Sequence, residues 1–203
     1  MTDETKIKES KTLLTTKLPV MEGWLTPERA HEMYDLICRV QPDVVVEIGV
    51  FGGRSLITQA LALRDVGKGH IIGIDPWKKE EALSEIGEAE MAWWNAVDYH
   101  KIHSGCVDTI WELGLDHWVT IIRAASQDCV WMMPKIDILY IDGNHTEAAS
   151  CRDVELYLPK VKQNGWVWAD DMDWGSTRKA RQMLVDSCKV VNDNGNYMLF
   201  CKP

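Results

Sequence analysis

The sequence predicts an α/β fold: a doubly wound, mostly parallel sheet that ends in an antiparallel hairpin. Three observations carry that prediction. Short, wholly apolar, β-branched runs alternate with helix-like stretches. The first of those runs passes through a glycine-rich turn straight into a helical pattern, and the last two apolar pieces enclose a turn-forming string of Asn, Asp and Gly.

Residues 1–17 mix charge with Thr and Ser and show little apolar periodicity, so they are expected as a flexible or late-docking arm ahead of a single domain over 18–203. Order begins near Leu18. Thr26-Pro27-Glu28 is a helix start, because Thr can cap, Pro suits the first turn and the acid complements the dipole; Ala30, Met33, Ile37 and Val40 then share one face. Val44 to Ile48 is the apolar run of a parallel strand covered on both faces. A glycine-rich turn, a helix over Ser55 to Leu63 and a second strand from His70 to Ile74, ending in Asp75, complete a β-α-β unit. Further strands are expected at Val119 to Ile122, Ile136 to Ile141 and Trp166 to Ala169, with a helix at Glu147 to Leu158. The stretch 77–117, with Trp93, Trp94, Tyr99, His100 and His103, reads as helix beyond what the sheet minimally needs and is a candidate substrate cover. A helix over Arg178 to Ser187 is followed by Lys189 to Val191 and Tyr197 to Cys201, and the turn Asn192-Asp193-Asn194-Gly195-Asn196 between them predicts the hairpin.

A chain of 203 residues can bury a full core without disulfides or structural metal. Its net charge of -9 and the lack of a basic stripe argue against a nucleic-acid or anionic-membrane surface and for a small-molecule partner. A homo-oligomer stays open. Six scattered cysteines, with no CxxC pair, suggest free thiols. With no apolar signal core and no membrane-length apolar run, the expected location is the cytoplasm. Ten tryptophans fit either core and rim packing or aromatic walls for a planar ligand.

Two groups of residues carry chemistry. The first is Glu47 to Ser55, where a strand passes into a helix, the place at which ligands dock in open α/β sheets. Glycine lets a ligand approach the backbone, and Ser55 with the first helical N–H groups can receive a carboxylate. A tight turn without a ligand is one alternative and a dinucleotide site another. The latter needs glycine at 51 and 54, where this chain has Phe51 and Arg54. Glu47 would repel phosphate but suits a cationic amino group, which S-adenosylmethionine carries, and Asp75 is placed to accept ribose hydroxyls.

The second group is Asp142-Gly143-Asn144-His145 after one strand and Asp170-Asp171, with Asp173, after the next. Several carboxylates at one place repel unless one is protonated or a hard cation such as Mg²⁺ holds them. Solvated loop acids or helix caps are the plainer alternative. His145, with an ordinary pKa of about 6.5, suits a general base, with His100 and His103 in reserve.

From about Asp43 to Asp171 these residues resemble the catechol O-methyltransferase-like branch of the class I, Rossmann-like methyltransferases, with bacterial macrocin-type and cephalosporin-hydroxylase-like relatives. The resemblance rests on E-I-G-x-F-x-G-x-S at Glu47 to Ser55, the strand-end Asp75, Ala125-Ser126-Gln127-Asp128, and the D-x-x-H and A-D-D segments. It implies that Glu47, Gly49, Phe51, Gly53 and Ser55 surround the methionine part of S-adenosylmethionine, Asp75 the ribose, and Ser126, Gln127 and Trp77 the adenine, with Asp142 also at the cofactor. It places a Mg²⁺ on Asp142, Asp170 and Asp171, with Asp173 as reserve ligand, and the base on His145 outside the metal's ligands. Histidine and Asp171 stand where the catechol enzymes have lysine and asparagine, which points to the bacterial natural-product relatives. The implied reaction is methyl transfer to a hydroxyl of a small molecule. A metal-free methyltransferase with His145 alone as base, and a cofactor-binding protein without turnover, are the alternatives.

Overall fold

The computed structural model describes residues 4–83 and 88–203. Its sheet is built from β1 (Val44–Ile48), β2 (His70–Ile74), β3 (Val119–Ile122), β4 (Ile136–Ile141), β5 (Val161–Ala169), β6 (Lys189–Asp193) and β7 (Met198–Cys201). The order across it is β3-β2-β1-β4-β5-β7-β6, with β1 to β5 parallel and the terminal hairpin antiparallel. This is the doubly wound sheet with its antiparallel end that the apolar runs predict. β5 begins at Val161, five residues before the expected start, because Val161 pairs with Ile136 across an irregularity that the polar residues 162–164 disguise in the sequence.

Nine helices are described: α1 (Glu4–Lys17), α2 (Pro27–Val40), α3 (Arg54–Val66), α4 (Lys79–Ala82), α5 (Glu88–Ala96), α6 (Tyr99–Glu112), α7 (Ser126–Cys129), α8 (Glu147–Tyr157) and α9 (Arg178–Ser187). Thr26 caps α2 by accepting the Arg29 N–H, and Thr146 caps α8 in the same way from Ala149. The central strands β1 and β4 are largely apolar because both of their faces are covered. Val45, Ile138 and Tyr140 point into a core shared with α1, α2, α3 and α6, while Val46, Ile48, Leu139 and Ile141 point into one shared with α8 and α9. Each such Val, Leu or Ile contributes about 1.5–3 kcal/mol by leaving water. Strand alternation puts Glu47 on the Val45 side, facing α3.

Two expectations are corrected. The segment from Glu4 to Lys17 is a docked helix rather than a flexible arm: Leu14 is buried, Ile7 and Leu13 pack on the first core, and Ser10 donates to Asp65 of α3 at 2.5 Å. Its stripe of Ile7, Ser10 and Leu14 is narrow and interrupted by a serine whose partner lies far along the chain. The stretch 77–117 is not wholly an addition to the fold. α6 buries Ile102, Cys106 and Ile110 and serves as the crossover that parallel β2 and β3 require. The part of the expected cover at 84–87 lies outside the described residues. All six cysteines are free thiols. Among the described residues no helix is long and apolar enough to cross a membrane.

Candidate active site

The direction of winding reverses between β1 and β4, so the loops leaving their carboxyl ends part there and leave a crevice. Backbone bonds stitch its floor: the Gly49 N–H donates to Ile74 O and the Asp142 N–H to Ile48 O, both at 2.9 Å. Gly49, at φ +85°, is obligatory, since a Cβ there would stand 1.9 Å from the Asp142 carbonyl oxygen. The crevice opens into a cavity of about 1440 Å³, more than the roughly 300–1,000 Å³ of a single small-ligand pocket. Gly49, Phe51, Gly53, Ser55, Asp75, Trp77, Ser126, Gln127, Asp142, His145, Asp170 and Asp171 all line it.

Gly53, at φ +84°, starts α3 without any side-chain cap, and the first intrahelical donor is Ile57. The N–H groups of the first turn therefore remain available to an anion beside the cavity. Asp75 ties the loop together, accepting the Val50 and Phe51 N–H groups on Oδ2 at 3.0 and 2.9 Å and the Trp77 N–H on Oδ1 at 2.7 Å. Burial pushes its carboxyl up against these donors, and the net direction is upward. Trp77 donates its ring N–H to Phe51 O at 2.9 Å and packs edge-on to His103, so it braces the loop from within. Ser126 donates to Asp153 at 2.5 Å; burial pushes the Asp153 carboxyl up to about 6, against that bond.

Glu47 does not reach the cavity. It is wholly enclosed beneath the loop and accepts Ser55 Oγ and Gln59 Nε2, each at 2.6 Å. Burial drives its carboxyl well above the ordinary range, opposed by the two hydrogen bonds. Its expected partnership with a ligand's amino group is replaced by one with α3, because the strand's alternation aims it there.

The second cluster is also rearranged. Ligand atoms of Asp142, His145 and Asp171 lie within 4.8 Å of one another. His145 Nε2 is 3.0 Å from Asp171 Oδ2 and 3.5 Å from Asp142 Oδ1, but neither is aligned as a hydrogen bond, which leaves a buried nitrogen without a partner. Asp170, expected in this group, is instead ion-paired with Arg29 of α2 and accepts the Tyr140 hydroxyl at 3.0 Å. His145, expected outside the ligand set, stands within it. Asp173 is exposed, with Asn196 Nδ2 at 3.2 Å. Burial lowers the His145 pKa, but Asp142, Asp171 and Asp170 outweigh it and hold the imidazole above its ordinary value. Asp142 is raised to about 6, by burial first and by Asp170 and Asp171 against the pull of His145. Two carboxylates and an unpartnered buried imidazole nitrogen are a donor set that fits a divalent cation. His100 and His103 do not line the cavity.

Aromatic side chains form the rim. Trp24 stacks on Phe51 at 5.1 Å with Trp93 and Trp94 against them, and Trp174 lies over His145 at 5.0 Å. Trp24, Trp93 and Trp174 are 62%, 48% and 40% exposed, so part of the tryptophan content does wall the cavity. Sequence reasoning missed Arg29, Tyr140, Asp153, Trp24 and Asn196. Arg29 alone carried a signal, being a cation in the first turn of a helix, where the dipole disfavours it.

A sequence model of the methyltransferase domain matches residues 46–172, well over half of the chain. An uncharacterized protein of Acanthamoeba polyphaga mimivirus is 31% identical over 149 residues, 73% of this chain, and the match spans 59% of that protein's length. The fold resembles the O-methyltransferase NovP, with a TM-score of 0.76 at 15% identity over 98% of each chain. It also resembles the O-methyltransferase TomG from Streptomyces achromogenes, solved in complex with S-adenosylmethionine, with a TM-score of 0.65 at 16% identity over 98% of this chain and 90% of that one. The chain belongs to the methyltransferase-domain family.

Proposed function

We propose that the chain transfers a methyl group from S-adenosylmethionine to a hydroxyl of a small organic acceptor, with a divalent cation at Asp142, His145 and Asp171. The observation that carries this reading is the meeting, in one cavity, of the uncapped α3 start, the strand-end Asp75 and the trio of ligand atoms. NovP and TomG, both O-methyltransferases by name, support oxygen as the acceptor atom. When bound, the cofactor supplies an electrophilic sulfonium methyl and the cation lowers the pKa of the acceptor hydroxyl.

The chain's own residues bind and orient. The first-turn N–H groups of α3 suit a carboxylate, and Asp75 Oδ1 keeps capacity for a ribose hydroxyl. Ser126 and Gln127 border the cavity and would receive the adenine, and its exposed tryptophans offer walls to an organic acceptor. Holding acceptor and donor together accounts for much of the acceleration.

A second reading needs no cation. His145 then takes the hydroxyl's proton, and Asp142 and Asp171, 3.5 and 3.0 Å away, stabilise the imidazolium. Because both raise its pKa, the rate rises with pH through a value above that of free imidazole.

The deciding measurement is methyl transfer from labelled S-adenosylmethionine to a panel of hydroxylated small molecules, with and without exhaustive chelation. Loss of turnover on chelation, restored by Mg²⁺ or Mn²⁺, supports the first reading. Full turnover after chelation, abolished in His145→Asn, supports the second. Absence of adenosylhomocysteine binding by calorimetry removes both.

A further inference from the structure

We propose that Arg29 is the positioning residue of the candidate cation centre: it holds Asp170 out of the donor set and, through Asn196, aims Asp171 into it. The inference rests on the reading that a divalent cation binds at Asp142, His145 and Asp171.

Arg29 occupies an unfavourable place. It lies in the first turn of α2, where the dipole opposes a cation, and its guanidinium is largely withdrawn from water, with Nε buried and unpartnered. What offsets that cost is a set of contacts reaching from one end of the chain to the other. One terminal nitrogen pairs with Asp170 Oδ2, the other donates to Asn196 Oδ1 at 3.0 Å, and the guanidinium lies 4.7 Å over the Tyr197 ring.

The pairing occupies Asp170. Its Oδ2 accepts from both Arg29 and the Tyr140 hydroxyl, and its Oδ1 accepts the Asp171 N–H at 3.0 Å. Three of the roughly four acceptor positions of a carboxylate are filled, and a cation there would face the guanidinium charge. Asp170 thus acts as a strut, although its sequence position beside Asp171 suggests a ligand.

The bond to Asn196 settles the direction of its amide. Arginine can only donate, so Asn196 must present its oxygen to Arg29 and its NH₂ to the other side, where Nδ2 meets Asp171 Oδ1 at 2.8 Å. That contact leaves Asp171 Oδ2 directed at His145, 3.0 Å away. The backbone agrees: Asp171 is held at φ +51°, and the next N–H, that of Met172, donates to Asn196 O at 2.7 Å. Removing Arg29 takes away the donor on Asn196 Oδ1 and leaves the amide anchored only through Nδ2, at Asp171 and at the exposed Asp173, so the hold on Asp171 loosens.

The test is Mn²⁺ titration of the chelated protein, reading free Mn²⁺ by electron paramagnetic resonance, with adenosylhomocysteine affinity measured separately by calorimetry. Asp142→Asn and Asp171→Asn are expected to weaken Mn²⁺ about tenfold or more, Asp170→Asn by less than about threefold, and the double variant Arg29→Gln/Asp170→Asn by about tenfold. The double variant leaves no unpaired buried charge, and Asn196→Ala, which keeps the Arg29–Asp170 pair, is expected to show the same loss should it fail to fold. Three results overturn the proposal: Asp170→Asn costing as much as Asp142→Asn, the double variant or Asn196→Ala binding Mn²⁺ like wild type, or no Mn²⁺ binding by wild type. Wild type that binds adenosylhomocysteine but not Mn²⁺ defeats this proposal and leaves methyl transfer standing; the converse defeats methyl transfer and leaves the role of Arg29.

Discussion

Glu47 shows how far residue identity can be read and where it stops. Its position at the end of a strand beside a glycine turn was legible, and an acid there does matter. Which way the carboxylate points depends on strand alternation and on what α3 offers, and Ser55 and Gln59 supply two donors on that side. Burial pushes the carboxyl well above its ordinary range against its two hydrogen bonds, so the enclosure favours the uncharged form. Glu47→Gln is expected to be nearly silent at pH 7, in both adenosylhomocysteine affinity and thermal unfolding, because the amide oxygen still accepts from Gln59 and its NH₂ can donate to Ser55 Oγ once that hydroxyl turns to accept. Glu47→Ala removes the acceptor of the Ser55 hydroxyl and of one Gln59 N–H, both buried, and should destabilise by about 2–6 kcal/mol, at roughly 1–3 kcal/mol for each. Calorimetry and chemical denaturation of the two variants check this. A Glu47→Gln protein that folds normally but loses the nucleoside would return Glu47 to the ligand's amino group.

At the scale of elements, the strands and their order of appearance were legible because a parallel sheet covered on both faces requires unbroken apolar runs, as at Val44–Ile48 and Ile136–Ile141. Helix α2 was legible from its cap and its apolar face. Helix α1 was not, since its contact face contains a serine whose worth depends on Asp65, 55 residues away. Asp65 also accepts the Tyr34 hydroxyl at 2.7 Å, so one buried carboxylate joins α1, α2 and α3. The Arg29–Asp170 pair was hidden for the same reason, its partners being 141 residues apart. The prediction at this scale is that Leu14→Ala lowers stability by about 2–5 kcal/mol, as for a fully buried leucine, and Ser10→Ala by about 1–3 kcal/mol, through the acceptor it leaves short of a donor. Urea denaturation measures both. Changes within about 0.5 kcal/mol would mean that α1 does not dock on the sheet layer in solution.

For the whole molecule, the crevice at the reversal of winding gathers acids that the fold cannot fully solvate, and this should be visible in its pH dependence. Asp153 and Asp142 are each raised to about 6, burial being the largest cause in both. An acid whose pKa is higher in the folded than in the unfolded chain binds its proton more tightly when folded, so its burial costs nothing at pH values below the unfolded pKa near 3.9 and costs most above the folded one. Stability from these groups therefore falls as pH rises through the window from about 4 to 6, the reverse of what a salt-bridged carboxylate such as Asp43, lowered by Lys68, contributes. Asp153→Asn removes one of the two penalties. Relative to wild type it should gain stability with rising pH, by up to about 3 kcal/mol between pH 4 and 7 at 1.36 kcal/mol per unit, on top of a constant offset from the altered bond to Ser126. Denaturation of both proteins across that range, with metal excluded by chelation so that Asp142 contributes equally to each, isolates the Asp153 effect. A stability difference independent of pH would show that Asp153 ionises as freely in the folded protein as in the unfolded chain, and that solvent reaches the Ser126 end of the cavity.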